Sequence, residues 1–328
     1  MKYELKVYYK KEDLPHLDDV SFFHSAHTFD LYENVPLYTP LMVVCFLNDE
    51  TVASLFAHIM RINRFLDSSI FRRCYVSHKP AFYKDNLPEE DLFCHLLNTL
   101  TKELKHRVFY TEVRHLGDPI FGYKAFRDNC FFSIKWINIK NSLQKKRNIW
   151  NQLSRTRRNQ VNKAKRKGVY IEELTTKEEL ATIYDSIDKN LHWKFSHRFP
   201  PYTYIENFFN SFIQKGKGKF FITKYQDVVI GGIIIGLHNN KYAYSLYYWG
   251  KTRTYKNLYP NIYTIWYAMN YAEKHKYEYF DFMDCGYLHE KAGKPRFILQ
   301  FGGKQHATRR WYKFNWSWIN WLASRFYE

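Results

Sequence analysis

One order of hydrophobic patterns occurs twice along this chain of 328 residues: a helix, an apolar hairpin, a second helix and a strand. In the first half, residues 22–32 are predicted to form a helix, and two apolar runs flank a polar turn at 48–50, which is typical of a hairpin. Leucines three and four positions apart predict a helix over 89–105, and a strand follows over 108–114. This order indicates layers of helices packed on sheet.

The second half repeats the order. Thr176 and Glu179 fit a capping box at the start of a helix that runs to about residue 191. The further predicted elements are a helix over 204–214, strands over 219–225, 228–237 and 242–248, a helix from Pro260 and a strand over 277–283. We therefore expect an α+β (mixed α/β) fold of two related domains, residues 1–145 and 146–328.

The charge of the chain points to an anionic partner. Lys and Arg number 50 against 32 Asp and Glu, a net charge of +18. Residues 129–171 contain twelve Lys or Arg and no acidic residue, and this shift in composition places the domain boundary near 140–150. A protein with this charge attracts several classes of anion: nucleic acid, a phosphorylated substrate, a phospholipid surface or an acyl-carrier phosphate.

Several classes of function lose support because their motifs are missing. The sequence has no nucleophile elbow, Walker loop, GxGxxG or HExxH motif. Its five cysteines are scattered without a CxxC pair, which predicts neither a disulfide framework nor a zinc site. The longest apolar run, 228–237, is too short for a membrane span, and the N-terminus lacks an apolar signal core. We expect a cytoplasmic protein.

A basic loop precedes the helix that starts at Pro260. A helix N-terminus offers free amide donors and the positive end of a dipole, so it suits a phosphate. Lys251, Arg253 and Lys256 add positive charge there. A merely solvated basic loop is the alternative interpretation.

Two aspartates lie at the end of the strand predicted over 277–283. Asp281 and Asp284 come just before Cys285-Gly286. A carboxylate at a strand end could orient or deprotonate an amine. The alternative is a carboxylate that caps the Cys285-Gly286 turn.

Two further segments combine charge with aromatic or helical patterns. Residues 150–167 are helix-like, end at Gly168 and are basic on nearly every face, which suits RNA or anionic lipid, or only a solvated surface. Residues 309–321 alternate Arg, Lys and Trp, which is the composition of an interfacial membrane anchor. It equally fits a last strand and helix packed on the core.

Five short motifs in this order resemble the FemAB-like branch of the GNAT acyltransferases. They are the basic segment 154–168, Gly231-Gly232, Pro260-Asn261 with Trp266, Phe280-Asp281, and Phe301-Gly302-Gly303. The resemblance covers most of the chain and implies two GNAT-like domains in tandem, each a central, mostly antiparallel mixed sheet flanked by helices. It also implies acyl transfer to an amine, with acyl-CoA or aminoacyl-tRNA as the donor and a cell-envelope precursor as one class of acceptor.

Two positions depart from the family pattern. Ile298 stands where related proteins commonly carry a lysine, and positions 251–259 hold no glycine, unlike the usual acetyl-CoA loop. Lys294, Arg296 or Lys304 could replace the missing lysine. Arg198 resembles a phosphate-contacting arginine of the bridge-forming members.

The sequence therefore predicts an N-acyltransferase without a tightly bound cofactor, with acyl-CoA or aminoacyl-tRNA as co-substrate and an amine as acceptor. The predicted catalytic residues are Asp281, Asp284 and Lys304, and the predicted substrate-binding residues are Arg198, Tyr248, Lys251, Arg253, Lys256, Asn261 and Arg296. The alternative function is a non-catalytic GNAT-like protein that binds RNA or an anionic membrane surface. The oligomeric state and peripheral contact with the inner face of a membrane stay open.

Overall fold

The computed structural model of the chain contains helices and strands along its whole described length. The structure describes residues 3–63, 65–114, 116–144, 148–191, 199–283, 285–287 and 293–327, without the side chains of 186 and 188–191. The strands are β1 (Glu4–Tyr8), β2 (Tyr38–Leu47), β3 (Glu50–Arg61), β4 (Arg72–Ser77), β5 (Ala81–Phe82), β6 (Tyr110–Arg114), β7 (Phe132–Ser142), β8 (Tyr170–Glu173), β9 (Gly218–Tyr225), β10 (Val228–His238), β11 (Tyr242–Gly250), β12 (Tyr279–Asp281), β13 (Gly286–Tyr287) and β14 (Lys304–Phe314). The helices are α1 (Ala26–Tyr32), α2 (Glu89–Leu104), α3 (Tyr123–Asp128), α4 (Ile149–Gln152), α5 (Arg155–Arg166), α6 (Lys177–Leu191), α7 (Tyr202–Phe208), α8 (Pro260–Lys274), α9 (Lys294–Leu299) and α10 (Ser317–Tyr327).

The chain divides into two compact units. Unit 1 contains residues 1–136 and 307–328, and unit 2 contains residues 137–306. The predicted second domain included residues 307–328, whereas the structure assigns them to unit 1. The reason lies in strand pairing, because β14 comes last in the chain yet pairs with β6 of unit 1 over Trp311–Phe314. In the same way, the end of β7 pairs with β12 of unit 2.

The sheet of unit 1 has the strand order β1-β2-β3-β4-β6-β14, with β5 added on β3. Helix α2 connects β4 to β6, which run parallel, whereas β1 to β4 form antiparallel pairs. The predicted leucine face of α2 is confirmed, because Leu92, Leu96, Leu97, Leu100 and Leu104 are all buried. They pack against the apolar face of β2 and β3 to form the core of this unit.

The sheet of unit 2 repeats this topology in the order β7-β12-β11-β10-β9-β8. Strands β8 to β11 are antiparallel, and α8 connects β11 to the parallel strand β12. The helix predicted from Pro260 is also confirmed, and it buries Ile262, Ile265, Trp266, Met269 and Ala272 against this sheet. The predicted α+β class, with mixed and mostly antiparallel sheets flanked by helices, is therefore confirmed.

Tight turns set the register of the hairpins. Asn48 and Asp49 both have positive φ, and so do Asn239 and Asn240, as two-residue hairpin turns require. The first of them is the polar turn predicted at 48–50. At Thr176 the capping box is formed, with the Glu179 N–H donating to Thr176 Oγ1 at 3.3 Å and the Thr176 N–H donating to Glu179 Oε2 at 3.4 Å.

Three predicted elements differ from the structure. The helix predicted from residue 22 begins at Ala26, because the Ser25 hydroxyl caps it by accepting the Thr28 N–H. The basic helix predicted over 150–167 consists of α4 and α5, because Ser154 caps the start of α5. The last predicted strand is shorter than 277–283, and β12 ends at Asp281, where the carboxylate accepts the Met283 N–H.

Within the described residues, no helix combines the length and the apolar composition that crossing a bilayer requires.

Candidate active site

Strands β11 and β12 of unit 2 are paired over only three residues. The parallel register runs from Tyr242 with Tyr279 to Tyr244 with Asp281, where β12 ends. Strand β11 continues to Gly250. Within the described part of the chain, no strand pairs with this edge of β11 beyond Tyr244. Backbone groups along the edge are therefore available to a ligand.

A β-bulge lies in β11 just beyond that point. On the β10 side, Ile235 is opposite Ser245 and Ile234 is opposite Tyr247, so Leu246 is the extra residue. A bulge leaves one residue out of the ladder and turns the local backbone. The neighbouring Ser245 hydroxyl is buried and has no hydrogen-bond partner among the described residues. Polar groups that a ligand could satisfy thus cluster at the bulge.

Unit 1 has no equivalent opening at the corresponding pair. Strands β4 and β6 are parallel over five residue pairs, from Arg73 with Tyr110 to Ser77 with Arg114. The next residue, His78, donates its N–H to the Arg114 carbonyl at 2.8 Å. Strands β4 and β6 are therefore hydrogen-bonded along their whole length, whereas β11 and β12 of unit 2 separate after three residue pairs.

Asp281 is the centre of a buried polar cluster beside the opening. Its side chain is 1 % exposed and lies opposite Lys140 of β7, whose Nζ is 3.2 Å from Asp281 Oδ2. Asn138 donates to the same oxygen at 3.4 Å, and the Met283 N–H donates to Oδ1 at 2.6 Å. Asp281 thus caps the backbone at Met283, whereas the Cys285 N–H of the turn considered from the sequence donates to the Ile137 carbonyl.

Two neighbouring groups respond to this cluster. Burial, and then the Asp281 carboxylate, raise the pKa of the Tyr244 hydroxyl above its ordinary value. Burial, and then the Lys140 charge, lower the pKa of His306, and Asp281 acts in the opposite direction. Lys304 also lowers the pKa of His306. His306 is thus a neutral imidazole at neutral pH, beside a buried carboxylate.

The basic loop between β11 and α8 is held by its own backbone. The Lys251 N–H donates to the Ile230 carbonyl at 2.8 Å, and the Tyr255 N–H donates to the Lys251 carbonyl at 2.9 Å. Burial lowers the pKa of Lys251, whereas Arg253 and Lys256 are exposed. Tyr259 caps α8 in the left-handed conformation, with φ of 52°, ahead of Pro260. The loop therefore presents side-chain cations at the start of α8.

Helix α5 packs beside this loop and against α8. Its Val161 and Ala164 are buried in the core of unit 2. Lys163 Nζ lies 5.6 Å from the ring centre of Tyr259, the residue that caps α8. Positive charge from two elements therefore converges at the N-terminus of α8, where the helix dipole adds to it. This arrangement suits a phosphorylated ligand.

The sequence of this region matches a known family. Residues 151–292 match the family model described as an acetyltransferase (GNAT) domain. The match covers less than half of the chain. The matched stretch lies within unit 2 and includes β11, its bulge, the basic loop and α8. No curated protein matches the sequence.

Solved structures show the same fold along most of the chain. The superposition with FemX includes 99% of this chain and 100% of FemX, with 12% sequence identity and a TM-score of 0.65. That with L-PGS from Bacillus licheniformis includes 92% of this chain and 91% of L-PGS, with 12% identity and a TM-score of 0.59. That with a tandem GNAT protein from the clavulanic acid biosynthesis pathway includes 88% of this chain and 87% of the other protein, with 9% identity and a TM-score of 0.54.

These comparisons confirm the resemblance to FemAB-like GNAT acyltransferases and the tandem GNAT-like fold. The two halves share one topology, and the stretch that matches the GNAT family model carries the opening between β11 and β12.

Two motifs behind the resemblance have structural roles in the GNAT domain. A Cβ on Gly232 would lie 2.1 Å from the Trp249 ring, so glycine lets that indole pack on β10. Gly302 has φ of +89°, and a Cβ there would lie 2.4 Å from the Gln152 carbonyl oxygen. Arg157 stacks over the Phe297 ring at 4.4 Å, and burial lowers its pKa to about 10. Gly302 and Arg157 thus bring α4 and α5 against residues 297–302, and Gly232 lets β10 and the Trp249 indole pack together.

The structure places the predicted site residues in two groups. Asp281 lies in the buried cluster with Lys140, and Lys304 is exposed at the start of β14, where its charge lowers the pKa of His306. Lys251, Arg253, Lys256 and Asn261 lie in or just after the loop, and the buried Asn261 Oδ1 faces the position of a Gly250 Cβ at 2.1 Å.

The other predicted residues lie apart from these groups or cannot be placed. Tyr248 packs on the core, and burial raises its pKa to about 12. Arg296 is exposed on α9, two residues before the fully buried Ile298. Asp284 and Arg198 lie outside the described residues.

Sequence reasoning missed Lys140, His306 and Ser245. Only strand register brings Lys140 opposite Asp281. A histidine in a polar strand and a serine in an aromatic strand carry no local pattern that marks them as functional. The described residues contain no group of three His, Cys, Asp or Glu that could hold a metal ion.

Proposed function

We propose that the protein transfers an acyl or aminoacyl group from a polyphosphorylated carrier, acyl-CoA or aminoacyl-tRNA, to an amine, and that the opening between β11 and β12 is where the transfer occurs. The proposal rests on the local structure of β11. Its pairing with β12 ends at Tyr244, and a β-bulge follows at Leu246, before the cationic loop at the start of α8.

The reaction is an exchange at one carbonyl carbon. The lone pair of a neutral amine attacks the carbonyl of a thioester or ester, which forms the C–N bond and places negative charge on oxygen. Collapse of this tetrahedral intermediate breaks the C–S or C–O bond. The amine loses one proton and the leaving thiolate or alkoxide gains one, so the products are an amide and a free carrier.

The bulge supports stabilisation of the developing oxyanion. Backbone N–H groups that point at such an oxygen lower the barrier by roughly 3–4 kcal/mol for each well-placed donor. The bulge residue Leu246 lies on the unpaired edge of β11, and the partnerless hydroxyl of Ser245 is its neighbour. These are the donors that we assign to the oxyanion.

The buried cluster supports proton transfer from the amine. Asp281 already accepts hydrogen bonds from Asn138 and the Met283 N–H and pairs with Lys140. Because these partners occupy both of its oxygens, we assign it a positioning role. His306 is neutral at neutral pH, so we assign it as the proton acceptor, with Lys304 keeping its pKa low.

Stacked tyrosines support an amine acceptor on the same strands. Tyr242 lies 5.4 Å from both Tyr244 and Tyr279, measured between ring centres. Aromatic faces attract a cationic ammonium before it loses its proton. We assign the acceptor more narrowly as an amine of a cell-envelope precursor, and this assignment rests on the FemAB-like resemblance.

The donor carrier is assigned to α5 and the basic loop. The loop has no glycine, and its Thr252, Tyr255 and Leu258 amides donate within the segment 250–258. Cationic side chains therefore replace backbone amides as the phosphate ligands. Lys251, Arg253, Lys256 and Lys163 are the residues that we assign to the carrier, and Arg198 remains assigned by resemblance alone.

Thermal unfolding with and without each carrier tests the proposal. Acetyl-CoA, free CoA or a charged-tRNA mixture at about 100 times its dissociation constant should add roughly 2.7 kcal/mol to the free energy of unfolding. The double variant Lys251→Gln/Lys256→Gln should lose this gain. The exposed Lys276→Gln, beyond the other end of α8, is the matched control.

The outcomes separate the donors. Stabilisation by CoA species that persists at high salt identifies an acyl-CoA donor, and stabilisation by tRNA that falls steeply with salt identifies a tRNA donor. tRNA binding without transfer to any amine would support a non-catalytic RNA-binding protein instead. If no carrier stabilises the protein, or if both variants behave alike, the carrier site is wrong.

A further inference from the structure

Helix α10 of unit 1 presents its apolar side to solvent. One side of the helix consists of residues three, four, seven and eight positions after Trp318, together with Trp318 itself. They are Trp318, Trp321, Leu322, Arg325 and Phe326, and all five are exposed. The exposed fractions are 66% for Trp318, 60% for Trp321 and 79% for Phe326. The less exposed side consists of Ile319, Asn320, Ala323 and Ser324. This is the reverse of a surface helix that packs its apolar stripe on a core.

Polar contacts fix α10 in this orientation. Asn320 accepts the Phe314 N–H at 2.9 Å and donates to the Cys130 carbonyl at 2.9 Å. Just before the helix, Asn315 donates to the Leu104 and Val108 carbonyls at 3.0 and 2.7 Å. The helix is thus attached to unit 1 through amides, and its tryptophans are left outward.

A second exposed apolar segment lies at the same end of the unit 1 sheet. The loop between β3 and β4 exposes 91% of Phe65 and 50% of Leu66. The Phe109 N–H donates to the Arg72 carbonyl at 2.8 Å, directly after this loop, and the Asn315 N–H donates to the Phe109 carbonyl at 3.0 Å. Phe109 therefore links the loop to the start of α10. We call the loop tip and the outer face of α10 together the apolar platform.

Positive charge surrounds the platform. Lys105 is exposed and follows Leu104, which binds Asn315, and Arg325 lies 5.3 Å from the Trp321 ring centre. Residues 311–327, which include α10, contain Lys313 and Arg325 and no Asp or Glu. Asp67, the acidic residue of the loop, is paired with Arg61 and Arg72.

We propose that the apolar platform docks on the surface of an anionic lipid bilayer. Tryptophan settles at the boundary between headgroups and acyl chains, and an amphipathic helix with its apolar face outward lies in that boundary. The surrounding cations are attracted to anionic headgroups. A second copy of the chain would bring the same cations against one another, so charge complementarity favours the lipid. The docking is independent of the acyl donor.

Vesicle co-sedimentation of the full chain tests this docking. The vesicles contain either phosphatidylcholine alone or equimolar phosphatidylcholine and phosphatidylglycerol. The unsubstituted chain should bind the anionic vesicles, and Trp318→Ser/Trp321→Ser and Phe65→Ser/Leu66→Ser should each weaken binding about tenfold or more. The matched control is Ile120→Ser, which removes a residue that is 72% exposed and follows the opposite end of β6. All three substitutions change exposed residues, and an unchanged melting temperature confirms that each variant is folded.

Three results would overturn the docking. One is failure of the unsubstituted chain to bind anionic vesicles. Another is equal loss in the platform variants and in Ile120→Ser. The third is that the tryptophan variant keeps vesicle binding but loses binding to single-stranded poly(U) RNA, or converts a dimer to a monomer in analytical ultracentrifugation. Either change would assign the platform to nucleic acid or to a second copy.

Discussion

Asp281 and Lys140 face each other across a single strand pair, with 3.2 Å between Lys140 Nζ and Asp281 Oδ2. The two ends of this ion pair differ in environment, because the Asp281 side chain is 1% exposed and that of Lys140 is 23% exposed. The carboxylate therefore depends on its protein partners for solvation, whereas water reaches the ammonium. This asymmetry decides what each substitution does.

Asp281→Ala should lower the free energy of unfolding by about 2–4 kcal/mol, because Asn138, Lys140 and the Met283 N–H all lose their acceptor. Asp281→Asn keeps an acceptor for the Met283 N–H and should cost less. Urea unfolding measures both values. Glu172→Gln is the control, because it breaks a surface pair with Lys224 that is worth about 0–1 kcal/mol. A loss for Asp281→Ala no greater than for this control would contradict the role of the cluster.

Lys140→Gln should raise the pKa of His306. The Lys140 charge opposes protonation of the imidazole, and Asp281 favours it, so removal of Lys140 leaves the carboxylate as the dominant neighbour. Titration of the imidazole by NMR measures the shift. If His306 accepts the proton in catalysis, the acid limb of the pH–rate profile should move to higher pH by the same amount.

The control for His306 is Lys135→Gln, an exposed lysine on the same strand. It should leave both the titration and the pH–rate profile unchanged. A shifted titration with an unshifted profile would remove His306 as proton acceptor and keep the electrostatic contact.

Much of the fold could be predicted because its long elements have clear periods. The leucine face of α2, the inner face of α8 and the hairpin turns depend on local spacing, which the sequence displays directly. Strand β14 is exposed from Lys304 as far as Ala307, so its first half lacks the alternation that marks a strand, whereas its second half lies in the segment 309–321 that fits a last strand. Its pairing with β6, about 200 residues earlier in the chain, has no local signal.

The candidate site was predicted in part for the same reason. The basic loop and Asp281 stand at element ends, where sequence patterns mark a change from strand to turn. Lys140 and His306 reach Asp281 from strands that come far before and after it in the chain. The bulge at Leu246 is a mismatch in register between β10 and β11, and alternation within β11 alone does not locate it.

Gly232→Ala should destabilise the GNAT domain by about 1–3 kcal/mol, because the new methyl group would overlap the Trp249 ring. Trp249→Phe removes the far ring of the indole, so the double variant should recover part of the loss. A double-mutant cycle by urea unfolding measures this coupling. Strictly additive losses would mean that Trp249 is not the group that requires glycine at position 232.

Stability should fall as the pH drops below about 6.5, through the buried histidines of unit 1. Burial lowers the pKa of His24 to about 4 and that of His58 well below its ordinary value. Between pH 4 and 6.5 the unfolded chain binds protons that the folded chain does not, so the free energy of unfolding rises with pH there. Each histidine contributes a slope of up to about 1.4 kcal/mol per pH unit.

Urea unfolding from pH 4.5 to 7.5 measures this slope, and the variants His24→Gln and His58→Gln isolate its source. Each should flatten the dependence below pH 6.5, although His24→Gln also disturbs the acceptor of the Phe56 N–H, which bonds to His24 Nδ1 at 2.8 Å. The change in slope, and not the absolute stability, therefore reports the titration. His16→Gln, at an exposed histidine, should leave the slope as it is. An equal slope in all four proteins would show that other groups cause the acid sensitivity.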